Sequence, residues 1–490
     1  MIKIFAAKIQ KKFCFVLNSC YICRIITIYL INTMSTNSMN RRDFLTNAAL
    51  MGAVGTMGAG TILTSCGGSK EQASTPLLPE ADWNIPKGIL PDKAKDGKPL
   101  KAGIIGCGGR GTGAAQDFLK AASNVSVVAL GDMFPDRIES CRKLLREKYN
   151  NDVPDNMCFT GFDNYKKVTD AGVDVVINCS PPAFRPAQFK YAVDAGKHQF
   201  IEKPVAVDPV GVRSIIADSK KAISKGLCVV TGTHRHNMRC YIESYKQIQS
   251  GMIGEIVGGN IYFNMQMLWY RMKDPKWTDM EWMIRDWVNW TWLSGDHIVE
   301  QHVHDIDLFN WFSGQKPVKA LGFGARQRRL TGDQYDMFSV DYLYEGGFHI
   351  HSMCRQINGC TNNGDPVIQG TKGVWVGGGE NRNKHIIYDL KGNVLWQYDF
   401  EKDAADFKMH DGHTLEHVNW INHIRDNEPI CQGEETANST LTAIMGRVSA
   451  YTGVEVTWDE MMASNMNLVP DNLELKNMDM AQYAVAVPGK

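Results

Sequence analysis

The sequence predicts an α/β protein whose first folded domain is a doubly wound parallel sheet. Short apolar runs alternate with helix-like segments between residues 100 and 231. One of these runs, Asp174–Cys179 (DVVINC), is predicted to form a continuous apolar strand. Such strands are typical of parallel sheets that are covered on both faces. A glycine-rich turn follows the first run, and polar side chains follow the later ones. These observations together indicate the fold class.

The overall composition excludes several classes of protein. The chain has 490 residues, with 53 Lys+Arg against 53 Asp+Glu, and 44% of its residues are hydrophobic. This mix argues against a disordered chain, a collagen-like chain and a basic nucleic-acid binder. At roughly 150 residues per domain, the length predicts two or three domains.

The first 66 residues are predicted to be an export signal and lipoprotein leader. A twin arginine, Arg41-Arg42, precedes a weakly apolar stretch rich in glycine and alanine, which ends at Leu63–Cys66. The pattern resembles a twin-arginine export signal joined to a lipoprotein processing box, and its glycines make it a poor membrane span. We therefore expect a periplasmic protein that touches the membrane only through a lipid on Cys66.

The residues on either side of this signal are predicted to lie outside the folded domains. An export signal should begin close to its twin arginine, so residues 1–33 indicate a mis-called start, with Met34 or Met39 as the first residue. Residues 67–99 are rich in Pro, Gly and Lys without a period, and we interpret them as a linker.

The segment that begins at residue 100 carries a dinucleotide fingerprint. A short apolar run ends in Gly106-x-Gly108-x-x-Gly111, and a helix-like segment follows. The glycines allow a tight turn and close approach of a pyrophosphate, which the helix N-terminus would hold. The next strand ends at Asp132, about 20 residues further on, where an acidic residue accepts hydrogen bonds from ribose hydroxyls. Asp132 favours NAD because it repels a 2′-phosphate. The nearby Arg137 is compatible with a 2′-phosphate, so NADP remains an alternative cofactor.

Later strand ends add candidates at the same edge of the sheet. Ser180-Pro181 follows one strand, and Glu202-Lys203-Pro204 follows the next. Ligands of doubly wound sheets collect at the carboxyl ends of the strands. The predicted cofactor-binding residues are Gly106, Gly108, Gly109, Arg110, Gly111, Asp132, Arg137, Ser180, Pro181, Glu202 and Lys203.

Several of these segments together resemble the Gfo/Idh/MocA oxidoreductase family, which includes glucose-fructose oxidoreductase and inositol dehydrogenase. They are the turn GIIGCGGRG, the strand that ends in Asp132, and CSPPAFRPAQFKYAVDAGKHQFIEKPVA with its AGKHxxxEKP signature. The likeness continues through IQSGMIGEIVGGNIYF and GDHIVEQHVHDIDLFNWFSG, to about residue 455.

The resemblance implies the arrangement of domains. An NAD-binding Rossmann domain would span residues 100–233. A substrate-binding α+β domain with an open, mostly antiparallel sheet would span residues 234–460, and a C-terminal tail would span residues 461–490. The open sheet is also expected to pack subunits into a homo-oligomer.

The predicted catalytic residues are Lys203, His304 and Glu300. A lysine desolvated beside a cofactor can take a hydroxyl proton or polarise the oxygen, and the family uses its EKP lysine in this way. A surface lysine paired with Glu202 is the alternative. Glu300 and His304 match the family spacing of an acidic residue four positions before a histidine, which share a helix face. The family usually has Asp at the first position and often has glycine where this chain has His302. The resemblance therefore implies that these residues take part in proton transfer, but not that each one has the same role as its counterpart in the family.

Predicted substrate contacts surround this cluster. Aromatic residues are dense from Trp269 to Trp292 and interleave with polar groups, as in sugar sites; an oligomer interface or a packed cover loop is the alternative. The predicted contacts are His236, Arg285, Trp292 and His302, although His302 could equally be a structural histidine. Several histidine pairs have ligand-like spacing, but each has a competing explanation and we predict no metal.

We therefore expect NAD(P)-dependent oxidation of a sugar or glycoside hydroxyl to a keto-sugar, with C3 as the candidate carbon. Free NAD should be scarce outside the cytoplasm, so the cofactor should be tightly held and recycled. One alternative is an NAD-dependent glycosidase that oxidises C3 transiently and eliminates the aglycone. Another is a sugar-binding lipoprotein on a relic fold, against which Lys203 and the intact fingerprint argue.

Overall fold

The computed structural model describes residues 84–86, 88–378 and 384–490, all within one unit that spans Thr75–Lys490. The twin arginine, Cys66 and the first part of the predicted linker lie outside the described residues. Within the described residues, no helix combines the length and the apolar character that a membrane crossing requires.

In the described part of the chain, the first domain is a six-stranded parallel sheet in the order β3-β2-β1-β4-β5-β6. Ile104 contributes to the apolar cluster on one face and Ile105 to the cluster on the other, which explains why these strands are apolar throughout. The strands are β1 (Leu100–Ile105), β2 (Val125–Asp132), β3 (Cys158–Thr160), β4 (Val175–Asn178), β5 (His198–Ile201) and β6 (Val229–Thr231). The helices are α1 (Gly109–Ala121), α2 (Pro135–Tyr149), α3 (Asn164–Asp170), α4 (Arg185–Asp194) and α5 (Pro209–Ser224). The predicted doubly wound sheet is confirmed.

The second domain is built on a nine-stranded sheet, counted over the described residues, in the order β14-β13-β12-β11-β7-β10-β9-β8-β15. Neighbouring strands are antiparallel except β7 and β10, so the expected mostly antiparallel sheet is also confirmed. The strands are β7 (Ile256–Met265), β8 (Pro317–Ala325), β9 (Met337–Tyr344), β10 (His349–Gln356), β11 (Val367–Gly370), β12 (Gly373–Val376), β13 (Ile386–Asp389), β14 (Val394–Gln397) and β15 (Val456–Thr457).

Helices of the second domain cover this sheet and reach back to the first domain. They are α6 (Arg239–Gln249), α7 (Asp279–Arg285), α8 (Thr291–Ser294), α9 (His297–Glu300), α10 (Val303–Ser313), α11 (Phe400–Asp406), α12 (Gly412–Asp426), α13 (Gly433–Thr452) and α14 (Trp458–Ala463). Phe309 of α10 and Leu441 of α13 lie in the same core as Ile261 of β7. Trp420 of α12 instead joins the core of the first domain beside Phe118. The two domains therefore share helices at their boundary.

The segments before and after the two domains pack on them. In the predicted linker, Leu90 and Ala94 are buried, and the Asn84 side chain donates hydrogen bonds to Cys431 and Glu435. The described end of this segment is therefore a packed extension, which corrects the expectation of a linker reaching to residue 99. The C-terminal tail also packs, and its contacts are described below.

Candidate functional site

The glycine turn lies between β1 and α1. A different geometric feature explains the absence of a side chain at each of its glycines. Gly106 has a φ of +88°, and a Cβ there would lie 2.7 Å from the Cys179 backbone. A Cβ on Gly111 would overlap the carbonyl oxygen of Gly106. At Gly108 and Gly109, a Cβ would meet no atom of the described chain within 4 Å, so their backbone borders open space. The first N–H groups of α1 receive no side-chain cap from the N-cap residue and are available to a phosphate.

Asp132 is fixed at the end of β2, beside this turn. Its carboxylate accepts hydrogen bonds from the backbone N–H of Cys107 at 2.7 Å and of Phe134 at 3.0 Å. Burial raises the pKa of Asp132, while these two bonds and the nearby Arg137 act in the opposite direction. The carboxylate is thus positioned to accept hydrogen bonds from the hydroxyls of a ribose.

A cavity of about 790 Å³ runs along the cleft from the glycine turn to Glu300 and Gln301. Its volume lies in the usual range of ligand pockets. The predicted site residues that line it are Gly106, Gly108, Gly109, Arg110, Gly111, Asp132, Arg137, Ser180, Pro181, Arg285 and Glu300. The structure therefore brings these residues, which come from different strands and from both domains, to one cavity.

Lys203 and Glu300 meet beside this cavity. The Lys203 Nζ donates a hydrogen bond to the backbone oxygen of Glu300 at 2.7 Å and lies 3.5 Å from its Oε1. The side-chain amide of Gln301 donates to the other carboxylate oxygen of Glu300. Lys203 is buried, and its ammonium pairs with Glu300 rather than with Glu202. This geometry excludes the alternative of a surface lysine paired with Glu202.

Glu202 belongs to a buried charge cluster behind the glycine turn. The Arg110 guanidinium donates to Glu202, to Asp117 at 3.1 Å and to Glu416 at 3.2 Å. Burial opposes ionisation of Glu202, but Arg110 and Lys203 outweigh it and lower the pKa of Glu202 to about 2. Burial, with a contribution from Glu202, raises the pKa of Glu416 well above its ordinary value. The fold therefore favours the ionised form of Glu202 and disfavours the ionised form of Glu416.

His304 stands at one end of a row of three imidazole rings. Its ring centroid lies 4.9 Å from that of His234, which stacks on His413 at 4.4 Å. Burial and the charge of Lys203 hold the pKa of His304 well below its ordinary value, and burial and His413 do the same for His234. His304 is therefore neutral at physiological pH, when an imidazole can accept a proton. Neither His234 nor His413 is among the predicted site residues.

Three predicted substrate contacts lie away from the cavity. His302 is fully buried, and its Nε2 lies 2.7 Å from the Ser352 hydroxyl. His236 is buried against Asp307, with 2.7 Å between its Nε2 and the carboxylate. Trp292 is buried in an apolar cluster beneath the C-terminal tail. These three side chains are held by partners within the fold and do not line the cavity, so we reassign them to structural roles. Lys203 and His304 do not line the cavity either, but Lys203 bonds Glu300, which does.

Arg285 lines the cavity at the end where β2 terminates. Its guanidinium pairs with Asp136 at 3.1 Å and with Glu281 at 2.9 Å, and it lies 3.7 Å from the Phe134 ring centroid. These contacts tie α7 to the start of α2, so Arg285 stands near Asp132 rather than beside Lys203.

Other residues that line the cavity could not be predicted from any pattern in the sequence. Val469, Asp471 and Leu473 come from the C-terminal tail, which has no hydrophobic period. Across residues 84–86, 88–378 and 384–490, no group of three or more His, Cys, Asp or Glu side chains is arranged to hold a metal ion.

The open N-terminus of α1, the carboxylate at the end of β2 and the cavity between them define a dinucleotide-binding protein with a second domain on its cleft. Residues 100–232 match the oxidoreductase family with an NAD-binding Rossmann fold, and residues 241–376 match the GFO/IDH/MocA C-terminal domain. The chain therefore belongs to the Gfo/Idh/MocA oxidoreductase family, and its first domain is an NAD-binding Rossmann domain.

Comparison with individual proteins gives distant relatives. The chain is 26% identical over 230 residues to inositol 2-dehydrogenase/D-chiro-inositol 3-dehydrogenase of Lactiplantibacillus plantarum, a match that covers 47% of this chain and 57% of the relative. It is 22% identical over 359 residues to a glycosyl hydrolase family 109 protein of Shewanella pealeana, which covers 69% of this chain and 74% of that protein. The matched region thus spans little more than half the length of the inositol dehydrogenase.

Among solved structures, the scyllo-inositol dehydrogenase of Lactobacillus casei with bound NAD(H) and scyllo-inositol shares the fold. It aligns with a TM-score of 0.54 at 19% identity, over 73% of this chain and 99% of that chain.

Proposed function

We propose that the protein uses NAD to oxidise a hydroxyl group of a sugar or glycoside to a keto-sugar, with C3 as the candidate carbon and NADP as the alternative cofactor. The observation that carries the proposal is that Lys203 bonds Glu300, and Glu300 lines the same cavity as the glycine turn. The inositol dehydrogenases among the relatives act, by their names, on a cyclic polyol with secondary hydroxyl groups.

The residues at the strand ends fit a dinucleotide. Gly108 and Gly109 leave room for a pyrophosphate at the start of α1, and the fixed carboxylate of Asp132 fits the ribose hydroxyls. The cofactor, when bound, would accept a hydride from the carbon that carries the hydroxyl.

Two side chains divide the handling of the hydroxyl proton. Lys203, held by the backbone oxygen and carboxylate of Glu300, would donate a hydrogen bond to the hydroxyl oxygen and polarise it. His304 is neutral because burial and the charge of Lys203 disfavour its protonated form, so it would accept the proton. Glu300 would act by holding Lys203 in place.

The second candidate function is NAD-dependent glycoside hydrolysis by transient oxidation and elimination of the aglycone. The glycosyl hydrolase family 109 protein favours it, because that match covers more of this chain than the match to the inositol dehydrogenase. Both candidates begin with the same oxidation, so the site residues have the same first task.

We also propose the location and assembly. The twin arginine and the small residues before Cys66 support export of a folded protein and lipid attachment in the periplasm. The resemblance of the second domain to its family supports a homo-oligomer, and the balanced charge of the chain argues against nucleic-acid partners.

The test uses the protein purified without added nucleotide. Any released nucleotide is identified after denaturation, and the native protein is incubated with inositols and with aryl and natural glycosides. Mass spectrometry then follows the keto-sugar and the aglycone. A keto-glycoside with intact aglycone and retained NADH would support the dehydrogenase, whereas free aglycone without net NADH would support the hydrolase. Bound NAD with neither product would contradict both.

Two variants assign the activity to the site. Lys203→Met should lower the rate of oxidation by about 10²–10⁴-fold, the usual contribution of a proton-handling side chain. Lys197→Met is the matched control, because the Lys197 ammonium bonds the carbonyl oxygen of Val173, which does not line the cavity, whereas Lys203 bonds Glu300, which does. Equal rates for the two variants would contradict the assignment of Lys203.

A further inference from the structure

The C-terminal tail contributes to the wall of the dinucleotide cleft. Val469, Asp471 and Leu473 line the same cavity as Gly108 and Asp132. The tail forms neither a helix nor a strand between residues 464 and 479. Its position therefore depends on the contacts that hold its ends.

One end of this stretch is bound to the first domain. The backbone N–H of Leu468 donates to Asp208 Oδ2 at 2.8 Å. Asp208 is buried and also caps α5, because its other oxygen accepts a hydrogen bond from Gly211 at 2.8 Å. The anchor is thus a carboxylate whose own position is fixed by the fold.

The other end is bound to the second domain. The backbone N–H of Met478 donates to Asp279 Oδ2 at 3.0 Å, and the Lys476 carbonyl accepts from Met280 at 3.1 Å. Lys273 holds the other oxygen of Asp279 at 2.6 Å. The residues between the two anchors therefore bridge the two domains at the cavity.

Between the anchors, the segment is held mainly by partly buried apolar side chains. Leu468, Val469 and Leu473 pack against an apolar cluster that contains Phe134 and Trp292. The next leucine, Leu475, is 41% exposed and does not line the cavity. A segment with so few buried contacts opens more readily than the domain cores.

We propose that the segment Leu468–Met478 is a strap that forms one wall of the dinucleotide cleft and slows release of the bound nucleotide. This inference rests on the proposed use of NAD. Val469 and Leu473 shield the nucleotide from solvent, and the nucleotide leaves when the strap opens from its half-buried cluster. The strap acts on the dissociation rate more than on the association rate.

The experiment compares two leucines of the same segment in the full chain. Leu473→Ser removes an apolar side chain from the cavity wall, whereas Leu475→Ser changes an exposed leucine two residues away. A third variant ends the chain after Met466. NADH is loaded onto each protein, and its release into excess NAD is followed by the decrease in energy transfer from tryptophan to the nicotinamide.

Leu473→Ser and the truncation should each raise the dissociation rate constant roughly tenfold or more, with association changed much less. Leu475→Ser should leave both constants within about twofold of the wild-type values. Thermal unfolding without nucleotide reports whether each variant is folded. If the truncated chain does not fold, the two leucine variants decide the question.

The outcomes separate the strap from the proposed function. If the wild type binds NADH and Leu473→Ser releases it as slowly as Leu475→Ser, the strap is overturned and the proposed function stands. If the folded wild-type protein binds no dinucleotide, the proposed function and the strap are both overturned.

Discussion

The clearest test of the charge cluster behind the glycine turn replaces each of its two glutamates with glutamine. Glu202 and Glu416 both contact the Arg110 guanidinium, and both side chains are almost inaccessible to solvent. Their pKa values are displaced in opposite directions: the fold favours the ionised form of Glu202 and disfavours the ionised form of Glu416. The same substitution should therefore have different effects at the two positions.

The magnitude follows from the displacement at Glu202. A fall in its pKa from about 4.3, the usual value for Glu, corresponds to roughly 3 kcal/mol of favourable interaction with the ionised form, since its pKa in the fold is about 2. Glu202→Gln should lower the free energy of unfolding at pH 7 by about this amount, because the neighbouring guanidinium and ammonium lose a charged partner.

Glu416→Gln should leave the free energy of unfolding unchanged or raise it. A glutamine has the shape of the protonated acid and keeps the oxygen that accepts from Arg110. The amide nitrogen would replace Oε2, an atom without a hydrogen-bond partner among the described residues, so no bond is lost. The substitution also removes a group whose charged form is disfavoured by burial in the fold.

Urea unfolding at several pH values, followed by fluorescence and circular dichroism, measures both effects, and agreement of the two probes checks that the domains unfold together. The contribution of Glu202 is complete above its ordinary pKa and is lost as the pH falls toward about 2, so the deficit of Glu202→Gln should shrink on acidification. Relative to Glu416→Gln, the wild type should lose stability as the pH rises above the ordinary carboxyl pKa. Equal destabilisation by the two substitutions at pH 7 would refute the opposite displacement of the two pKa values.

Three further predictions concern the cleft. Gly111→Ala should abolish nucleotide binding and lower the melting temperature, because its Cβ overlaps the Gly106 carbonyl oxygen, whereas Gly108→Ala, with open space at its Cβ, should fold normally in the same thermal-unfolding assay. Asp132→Ala should weaken NAD binding more than NADP binding, and calorimetric titration with each nucleotide checks the ratio; equal loss of both would argue against a ribose contact. Oxidation in single-turnover experiments should show no inflection from His304 between pH 6 and 8, because its pKa lies well below its ordinary value; an inflection there that disappears in His304→Gln would contradict a neutral imidazole.

The first domain could be predicted from the sequence because its signals are local. The strand–glycine–helix pattern places Gly106, Gly108 and Asp132 within one short stretch, and the alternation of strands and helices determines the edge at which they meet. The charge of Lys203 has a partner 97 residues away, but its position after a strand and its match to the EKP lysine of the family singled it out in the sequence.

The role of each histidine could not be predicted, because it depends on partners distant in the chain. His302 and His304 are two residues apart, but the first ring meets the Ser352 hydroxyl while the second meets the His234 ring. The spacing of histidines carries no information about which ring is enclosed. The position of the tail could not be predicted from the sequence either. Single backbone hydrogen bonds to Asp208 and Asp279 anchor its ends, and the tail has no periodic apolar face that a sequence pattern would reveal.

The proposed export and the proposed strap bear on the same physical problem. Inside a cell, free nucleotide keeps a site occupied by mass action, in proportion to its concentration relative to Kd. Where free nucleotide is scarce, a nucleotide once released is not replaced, and occupancy depends on the dissociation rate instead. A half-buried segment anchored to both domains changes that rate without changing the groups that contact the pyrophosphate or the ribose. The dissociation rate constant of the wild type, compared with its rate of turnover, therefore decides whether one bound NAD can serve many catalytic cycles.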